Sequence, residues 1–219
     1  MNIIDVSKTY PLVSFFMVTM RDINLQKDKI KFRNALRNLG VILMLEFSKS
    51  LKFENCHVET PFSQCDLLVP QNNISMVAIA RAGIPLLEYA SSVLMPRSMV
   101  FCSCEKDRSG IRHAILDREI ELKDRLLVIA EPLMTSASSV LCCLKALLAT
   151  QQPVKIIILN IIATDLAINN LEKFEKETNI EISLYTCAND EFTPGIRGTK
   201  PGMGDVGDLL YGQKNETFK

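Results

Sequence analysis

The chain has 219 residues, 47% of them hydrophobic, which is enough to bury one sizeable core, and we predict a single α/β domain over residues 1–219. Its 25 basic and 25 acidic side chains cancel without long blocks of either sign, which argues against nucleic acid or an anionic membrane as a partner. The apolar runs 126–130 and 156–162 are too short to span a membrane, and Asp5 stands where a signal peptide would be apolar. We therefore predict a cytoplasmic protein that binds small molecules.

Strands and helices alternate along the predicted chain. An extended start at 10–13 precedes a helix at 27–50, where apolar residues recur at helical spacing. The later predicted elements are a strand at 76–80, a helix at 86–94, strands at 97–104 and 125–130, a helix at 140–149, a strand at 156–162, a helix at 166–178, a strand at 182–185 and a glycine-rich loop at 194–207. The polar stretch 109–118 is left unassigned. This alternation predicts a parallel, doubly wound sheet.

The seven cysteines show neither a paired CxxC pattern nor the histidine spacing of a zinc site, so we predict reduced thiols. Cys102 and Cys104 would point to the same face of their predicted strand, and we interpret them as core filling. His57 and His113 have no matching carboxylate or thiol pattern. We interpret both as structural or surface residues.

A polar loop separates the buried strand at 125–130 from the helix at 140–149. It reads Glu-Pro-Leu-Met-Thr-Ser-Ala-Ser-Ser-Val over residues 131–140. Small residues there let backbone N–H groups approach an anion, and the helix dipole favours its charge, so the loop predicts a phosphate site. Glu131 could hold sugar hydroxyls or, through water, a divalent cation. The alternative is an ordinary N-cap built from Thr135 and Ser136.

Two further loops lie where ligands collect in parallel α/β sheets, beyond the carboxyl ends of strands. Arg81 at one strand end could clamp a pyrophosphate, and Gly83 permits close backbone approach, although an arginine in a loop is usually just solvated. Residues 201–208 read Pro-Gly-Met-Gly-Asp-Val-Gly-Asp, which suits a turn that presents backbone groups and a carboxylate to a flat ligand. A calcium loop is excluded because the terminal Glu and the alternating oxygen ligands are missing.

These three loops occur in the order and spacing seen in uracil phosphoribosyltransferases. Residues 201–208 resemble that family's uracil-binding loop, Pro-Gly-Leu-Gly-Asp-Ala-Gly-Asp, almost position for position. Residues 81–83 resemble its pyrophosphate-contacting arginine, and residues 131–140 align with its ribose-phosphate loop, Asp-Pro-Met-Leu-Ala-Thr-Gly-Gly-Ser-Val. Shorter matches extend the resemblance over nearly the whole chain: Pro11-Leu12-Val13, Met20-Arg21-Asp22, Phe32-Arg33 and Val58-Glu59-Thr60-Pro61.

The resemblance implies a type I phosphoribosyltransferase fold, in which helices flank a central, mostly parallel sheet beside a small hood. It also implies that uracil N1 is joined to ribose C1 of phosphoribosyl pyrophosphate, releasing pyrophosphate and leaving uridine monophosphate in pyrimidine salvage. Mg²⁺ is the implied cofactor, bound with phosphoribosyl pyrophosphate and by no residue directly. The family's dimeric habit implies a homodimer.

The resemblance assigns roles to individual residues. Arg81 and Asp205 are the predicted catalytic residues, at the pyrophosphate and facing the reacting centre. The predicted residues for phosphoribosyl pyrophosphate are Arg81, Glu131, Thr135, Ser136, Ala137, Ser138, Ser139 and Asp205. The predicted uracil-binding residues are Lys200, Gly202, Met203 and Gly204, with backbone groups of Gly202 and Gly204 reading the base edge. Lys106, Arg108 and Arg112 are candidates for the family's charged flexible segment.

Three departures from the family pattern keep two hypotheses open. Glu131 replaces an aspartate, Ser-Ala-Ser-Ser at 136–139 replaces Thr-Gly-Gly-Ser, and Gly-Thr-Lys at 198–200 replaces bulky residues. If either lost glycine needs a positive φ, Ala137 or Ser138 is strained by about 1 kcal/mol or more. One hypothesis is an active enzyme whose serine hydroxyls replace part of the amide cradle. The other is a non-catalytic or regulatory relative that binds a nucleotide or base without turnover.

Overall fold

The computed structural model describes residues 1–71, 73–194 and 198–212. Two short 3₁₀ turns at Val6–Lys8 and Leu25–Lys27 accompany the regular elements. The helices are α1 (Leu12–Arg21), α2 (Lys29–Ser48), α3 (Gly83–Ser91), α4 (Ser138–Leu148), α5 (Asp165–Thr178) and α6 (Val206–Tyr211). The strands are β1 (Asn2–Asp5), β2 (Phe53–Glu59), β3 (Gln64–Pro70), β4 (Ile74–Ala80), β5 (Ser98–Lys106), β6 (Arg112–Leu116), β7 (Leu126–Ala130), β8 (Leu133–Met134), β9 (Lys155–Thr164), β10 (Ile182–Thr193) and β11 (Gly198–Lys200).

The central sheet has the strand order β1-β10-β9-β7-β4-β5-β6. Its neighbours pair in parallel except β6, which returns antiparallel beside β5, and the short β8 and β11 pair with β9 and β10. Strands β4, β7 and β9 are almost continuous apolar runs because helices cover both of their faces. The predicted α/β class with a mostly parallel sheet flanked by helices is confirmed.

Alternate residues of the central strands enter two separate cores. Met76 and Val128 belong to the core beneath α2 and α3, whereas the adjacent Val77 and Ile129 belong to the core beneath α4. Helix α2 begins where the Asp28 carboxylate accepts the N–H groups of its first turn, and its buried face includes Phe32, Leu36, Leu39, Leu43 and Phe47. The sheet is thus packed on both faces, and its carboxyl edge carries loops.

Several predicted boundaries are wrong. The extended start at 10–13 is overturned by α1, which begins at Leu12 directly after a proline, a residue that suits the first turn of a helix. Strand β10 continues to Thr193 instead of ending at 185. The loop predicted at 194–207 contains β11 and the first residues of α6, and its residues 195–197 lie outside the described part of the chain. The unassigned stretch 109–118 holds the edge strand β6, and the β2–β3 hairpin was not predicted.

The predicted single domain over 1–219 stays a prediction. Among the described residues, none of the helices has both the length and the apolar character needed to cross a membrane.

Candidate functional site

Two of the predicted loops begin side by side at the carboxyl edge of the sheet. Strands β4 and β7 are parallel neighbours that end at Ala80 and Ala130, so Arg81 and Glu131 leave adjacent strands. A Cβ on Gly83 would lie 2.2 Å from the Ala130 carbonyl oxygen. The close approach that Gly83 permits is therefore to the end of β7, which sets the two loops against each other.

The carbonyl groups of the 131–137 loop are turned into the protein. Asn160 Nδ2 donates to the Glu131 carbonyl at 2.7 Å, and Asn170 Nδ2 donates to the Ser136 carbonyl at 3.1 Å. Thr164 Oγ1 likewise donates to the Thr135 carbonyl. These contacts engage the carbonyl groups of the loop within the protein, so the carbonyls do not compete with an anion for its N–H groups.

The start of α4 is an open helix N-terminus. Within the described part of the chain, the N–H groups of residues 136–139 donate to no protein acceptor, and the N-cap residue Ala137 makes no side-chain cap. Ala137, Ser138 and Ser139 border a cavity of about 60 Å³, which Glu131 and Thr135 also line. Four unpaired donors at a helix dipole favour a phosphate group.

Ala137 is the strained residue of this loop. Its φ is +54° and its ψ is 14°, the left-handed region, whereas Ser138 already belongs to α4. The conditional prediction of strain therefore applies to Ala137 and not to Ser138. Ala137 is also buried against the core beneath α4, so its methyl group is retained in contact with apolar neighbours.

Glu131 and Asp205 are brought together from distant parts of the chain. Burial, with a smaller effect from the Asp205 charge, raises the pKa of the Glu131 carboxyl to about 8. The hydrogen bond from the Leu133 N–H and the charge of Arg112 act in the opposite direction. Arg112, on β6, thus acts on the site, and its Nη1 is held by the Cys104 carbonyl at 3.1 Å. By contrast, residues 106 and 108 are exposed at the end of β5 and in the following turn.

Arg81 is held by the segment that follows the 201–205 loop. Its Nη2 donates to Asp208 Oδ1 at 2.7 Å, and its Nη1 donates to the Gly212 carbonyl at 3.3 Å. Asp208 lies on α6, whose N-cap is Asp205: the Asp205 carboxylate accepts the Asp208 N–H at 3.0 Å. The two predicted catalytic residues are therefore joined through one short helix.

The loop at 201–205 is shaped by glycines with left-handed backbones. Gly202 has φ +72° and Gly204 has φ +81°, and a Cβ on Gly202 would lie 2.7 Å from Thr199 Oγ1. Gly204 is exposed, as is Lys200, whereas Met203 is buried. The Gly202 N–H donates to Asp190 Oδ2 at 2.8 Å, so this N–H is already engaged within the protein.

Comparison with known sequences identifies the family. A family model described as "Uracil phosphoribosyltransferase" matches residues 6–213. The chain belongs to this family. A uracil phosphoribosyltransferase of Porphyromonas gingivalis is 28% identical over 98% of this chain and 100% of its own length, and one of Methanothermobacter thermautotrophicus is 26% identical over 86% of this chain and 87% of its own length.

A solved structure shares the fold over nearly the whole chain. The protein AQ2163 from Aquifex aeolicus superposes with a TM-score of 0.81 at 26% identity, and the alignment covers 96% of this chain and 98% of that one. Uracil phosphoribosyltransferases are phosphoribosyl-transferring enzymes, so the chain is a member of an enzyme family.

Two site residues of this uracil phosphoribosyltransferase family member were missed from the sequence. Asp190 and Asp208 hold Arg21 and Arg81, but their partners are 169 and 127 residues away along the chain. No local pattern marks such a pair. Arg21 carried a signal, because Met20-Arg21-Asp22 matches the family, but no role for it could be predicted.

The cysteines and histidines fit their predicted structural roles. Cys102 is buried with its Sγ 3.7 Å from that of Cys104. A hydrogen bond with Cys102, followed by burial, raises the pKa of the Cys104 thiol, which makes it unreactive. His57 and His113 each pair with an aspartate at 2.8 Å on exposed hairpins.

Proposed function

We propose that the protein transfers the phosphoribosyl group of phosphoribosyl pyrophosphate to N1 of uracil, giving uridine monophosphate and pyrophosphate. The observation that carries this proposal is the meeting of three distant loops at one edge of the sheet. Arg81 contacts Asp208 directly, and the Asp205 charge acts on Glu131. These contacts support a site in which a phosphate cradle, a cation for the leaving group and a base loop act on one substrate.

The phosphate side of the reaction rests on the start of α4. The open N–H groups of residues 136–139 would hold the 5′-phosphate, and the hydroxyls of Ser136, Ser138 and Ser139 add donors that the usual glycines lack. Thr135 and Ala137 complete the wall of the cavity. Such fixed donors position the sugar without reorganising during the reaction.

The leaving group is assigned to Arg81. As pyrophosphate departs, the ribose C1–oxygen bond breaks and its electron pair stays on pyrophosphate, so charge grows on the leaving oxygens. The Arg81 guanidinium has five N–H donors. The contacts with Asp208 and Gly212 use one N–H of Nη2 and one of Nη1. The remaining N–H groups can donate to the leaving group while Asp208 keeps the guanidinium in place.

The base side is assigned to the loop around Gly204. The exposed Gly204 and the neighbouring Met203 would present backbone groups to the uracil edge, with Lys200 beside them. Asp205 follows directly, and its carboxylate would stabilise the positive charge that develops on the sugar ring. Uracil N1 forms the new bond to C1 as the bond from C1 to pyrophosphate breaks, and the N1 proton passes to an oxygen of the departing pyrophosphate.

The side chains fit a magnesium ion that arrives with the substrate. The described residues contain no cluster of three or more His, Cys, Asp or Glu that could form a protein-only site. Burial and, less strongly, the Asp205 charge raise the pKa of the Glu131 carboxyl, and a nearby divalent cation would lower this pKa and favour the charged form. Oxygens of phosphoribosyl pyrophosphate and water would provide most of the ligands, with Glu131 holding the ribose hydroxyls and one of those waters, and the ion would neutralise pyrophosphate charge.

We further propose a cytoplasmic homodimer. Exposed apolar side chains follow one another along α1, where Leu12, Phe15 and Val18 are 62%, 68% and 56% exposed, and Phe62 is 99% exposed at the tip of the β2–β3 hairpin. The apolar face of α1 supports burial against a second copy. Free thiols on the surface, such as that of Cys65, fit a reducing compartment.

The second candidate, a relative without turnover, is favoured by one observation: Ala137 occupies a backbone position that suits glycine. Radiolabelled uracil with phosphoribosyl pyrophosphate and Mg²⁺ separates the two. The proposed enzyme forms labelled uridine monophosphate, and Asp205→Asn abolishes most of it. Binding of phosphoribosyl pyrophosphate without product would instead support the second candidate.

A further inference from the structure

An ion pair between a half-buried arginine and a buried aspartate contacts the base loop. Asp190 is near the end of β10 with its side chain 2% exposed, and Arg21 is the last residue of α1. Arg21 Nη2 lies 2.7 Å from Asp190 Oδ1 and Nη1 lies 2.8 Å from Oδ2, a two-pronged contact. Such a planar fork fixes the guanidinium in one orientation.

Both members of this pair also hold the backbone of Gly202. Asp190 Oδ2 accepts the Gly202 N–H at 2.8 Å, and Arg21 Nη1 donates to the Gly202 carbonyl at 3.0 Å. The three groups form a closed ring, in which the donor and the acceptor of one peptide residue are both fixed by charged side chains. Charge-assisted hydrogen bonds are stronger than neutral ones, so the ring sets the position of Gly202.

The ring reaches the exposed part of the base loop through one intervening residue. Gly202 and Gly204 flank the buried Met203, and both glycines have left-handed φ values. Gln26 extends the support: its Nε2 donates to the Arg21 carbonyl at 3.3 Å, and its Oε1 lies 3.5 Å from where a Cβ on Gly204 would be. A displacement of Gly202 therefore moves the groups assigned to the base.

We propose that Arg21 and Asp190 are positioning residues for base recognition, which fix the position and orientation of the Gly202–Gly204 backbone. Neither side chain touches the base; each acts through Gly202. The proposal rests on the proposed function for its kinetic consequence, but the contact with Gly202 can be tested without turnover. A pair that merely stabilised the fold would affect both substrates alike.

Two variants of the full-length protein test the ring. Asp190→Asn leaves a single acceptor oxygen in place of two and removes the buried charge, and Arg21→Lys keeps the charge but loses the planar fork. Because the loop is displaced while the phosphate cradle is not, we expect the Michaelis constant for uracil to rise about tenfold or more, with that for phosphoribosyl pyrophosphate changed by less than about twofold. Equal rises for both substrates, or an unchanged uracil constant, would overturn the proposal.

A matched control and a second readout separate this result from loss of folding. Arg125→Lys alters another half-buried arginine paired with a carboxylate, Glu121, at the far end of β7, and uracil kinetics should not change. Hydrogen exchange of the Gly202 amide, measured by NMR, should be slow in the wild type and at least about tenfold faster in Asp190→Asn. If the wild type lacks turnover, the exchange rate of the Gly202 amide is the only test of the proposal. Equal protection of this amide in the wild type and in Asp190→Asn would then overturn the proposal.

Discussion

The Arg81 guanidinium donates a 2.7 Å hydrogen bond to the Asp208 carboxylate from a position 127 residues earlier in the chain. The contact joins the loop after β4 to the helix that follows the base loop. It holds Arg81 in place but also adds a negative charge beside the proposed pyrophosphate site. These two effects of Asp208 oppose each other.

Replacing Asp208 separates them. Asp208→Asn keeps a hydrogen-bond acceptor and removes the charge, so affinity for phosphoribosyl pyrophosphate should rise by about threefold or more at low salt. Asp208→Ala removes the acceptor as well and should bind more weakly than Asp208→Asn. Isothermal titration calorimetry at two salt concentrations measures both. Equal losses in the two variants would contradict the electrostatic effect.

Glycine at position 137 should stabilise the protein. The left-handed conformation of Ala137 costs about 1–2 kcal/mol, more than the roughly 0.8 kcal/mol that its buried methyl group contributes. Ala137→Gly should therefore raise the free energy of unfolding by about 0.5 kcal/mol and tighten phosphate binding. Ser138→Gly is the control: its backbone is helical, so the same measurement by urea unfolding should show a loss of about 0.5–1 kcal/mol. A loss at both positions would show that the strain at Ala137 is smaller than the contribution of its buried methyl group.

Glu131 should make stability depend on pH. The pKa of Glu131 in the folded state, about 8, lies above the ordinary value of 4.5, so the folded state binds the carboxyl proton more tightly than the unfolded state does. The stabilisation that this proton provides is fully present below pH 4.5. As pH rises from about 5 to 8, the free energy of unfolding should fall by on the order of 1 kcal/mol per pH unit. Urea titrations of the wild type and Glu131→Gln across this range measure it. The variant should lack this slope, and parallel curves for the two proteins would exclude Glu131 as its source.

Asp205 should act in turnover more than in binding. Asp205→Asn keeps an oxygen that can cap α6 but loses the charge proposed to face the sugar, so kcat should fall by about 10²-fold with the uracil Michaelis constant little changed. Asp205→Ala should lose about 1 kcal/mol of stability in addition, because the cap is lost. Steady-state kinetics and thermal unfolding measure the two effects. A large rise in the uracil constant at unchanged kcat would contradict the assigned role.

The α1 surface should be buried in a homodimer. Sedimentation at micromolar concentration should give twice the 24.6 kDa mass of the chain. Phe15→Ser should shift the equilibrium toward the monomer, whereas Ile115→Ser, at an exposed position of β6, should not. Monomer alone for the wild type would remove this proposal.

Helices and strands whose apolar residues follow a regular local pattern were predicted from the sequence. The apolar spacing of Phe32, Leu36 and Phe47 predicted α2 within two residues at each end, and the apolar runs predicted β7 and β9. Helix α1 and the β2–β3 hairpin were missed, because their outward faces carry apolar residues such as Phe15 and Phe62 and so lack a clear polar–apolar period.

The sequence by itself determined the α/β class, the order of the three loops and the family that they indicate, because these depend on short-range patterns and motif spacing. The tertiary structure decided which residues hold those loops. Asp190 is paired with Arg21 and Gly202, and Asp208 with Arg81, through contacts between segments more than ten residues apart. It also decided that Ala137, and not Ser138, is left-handed, and that Glu131 lies where burial and Asp205 raise its pKa. Hydrogen bonds and electrostatic fields depend on distance in space, which a single sequence does not specify until the chain has folded.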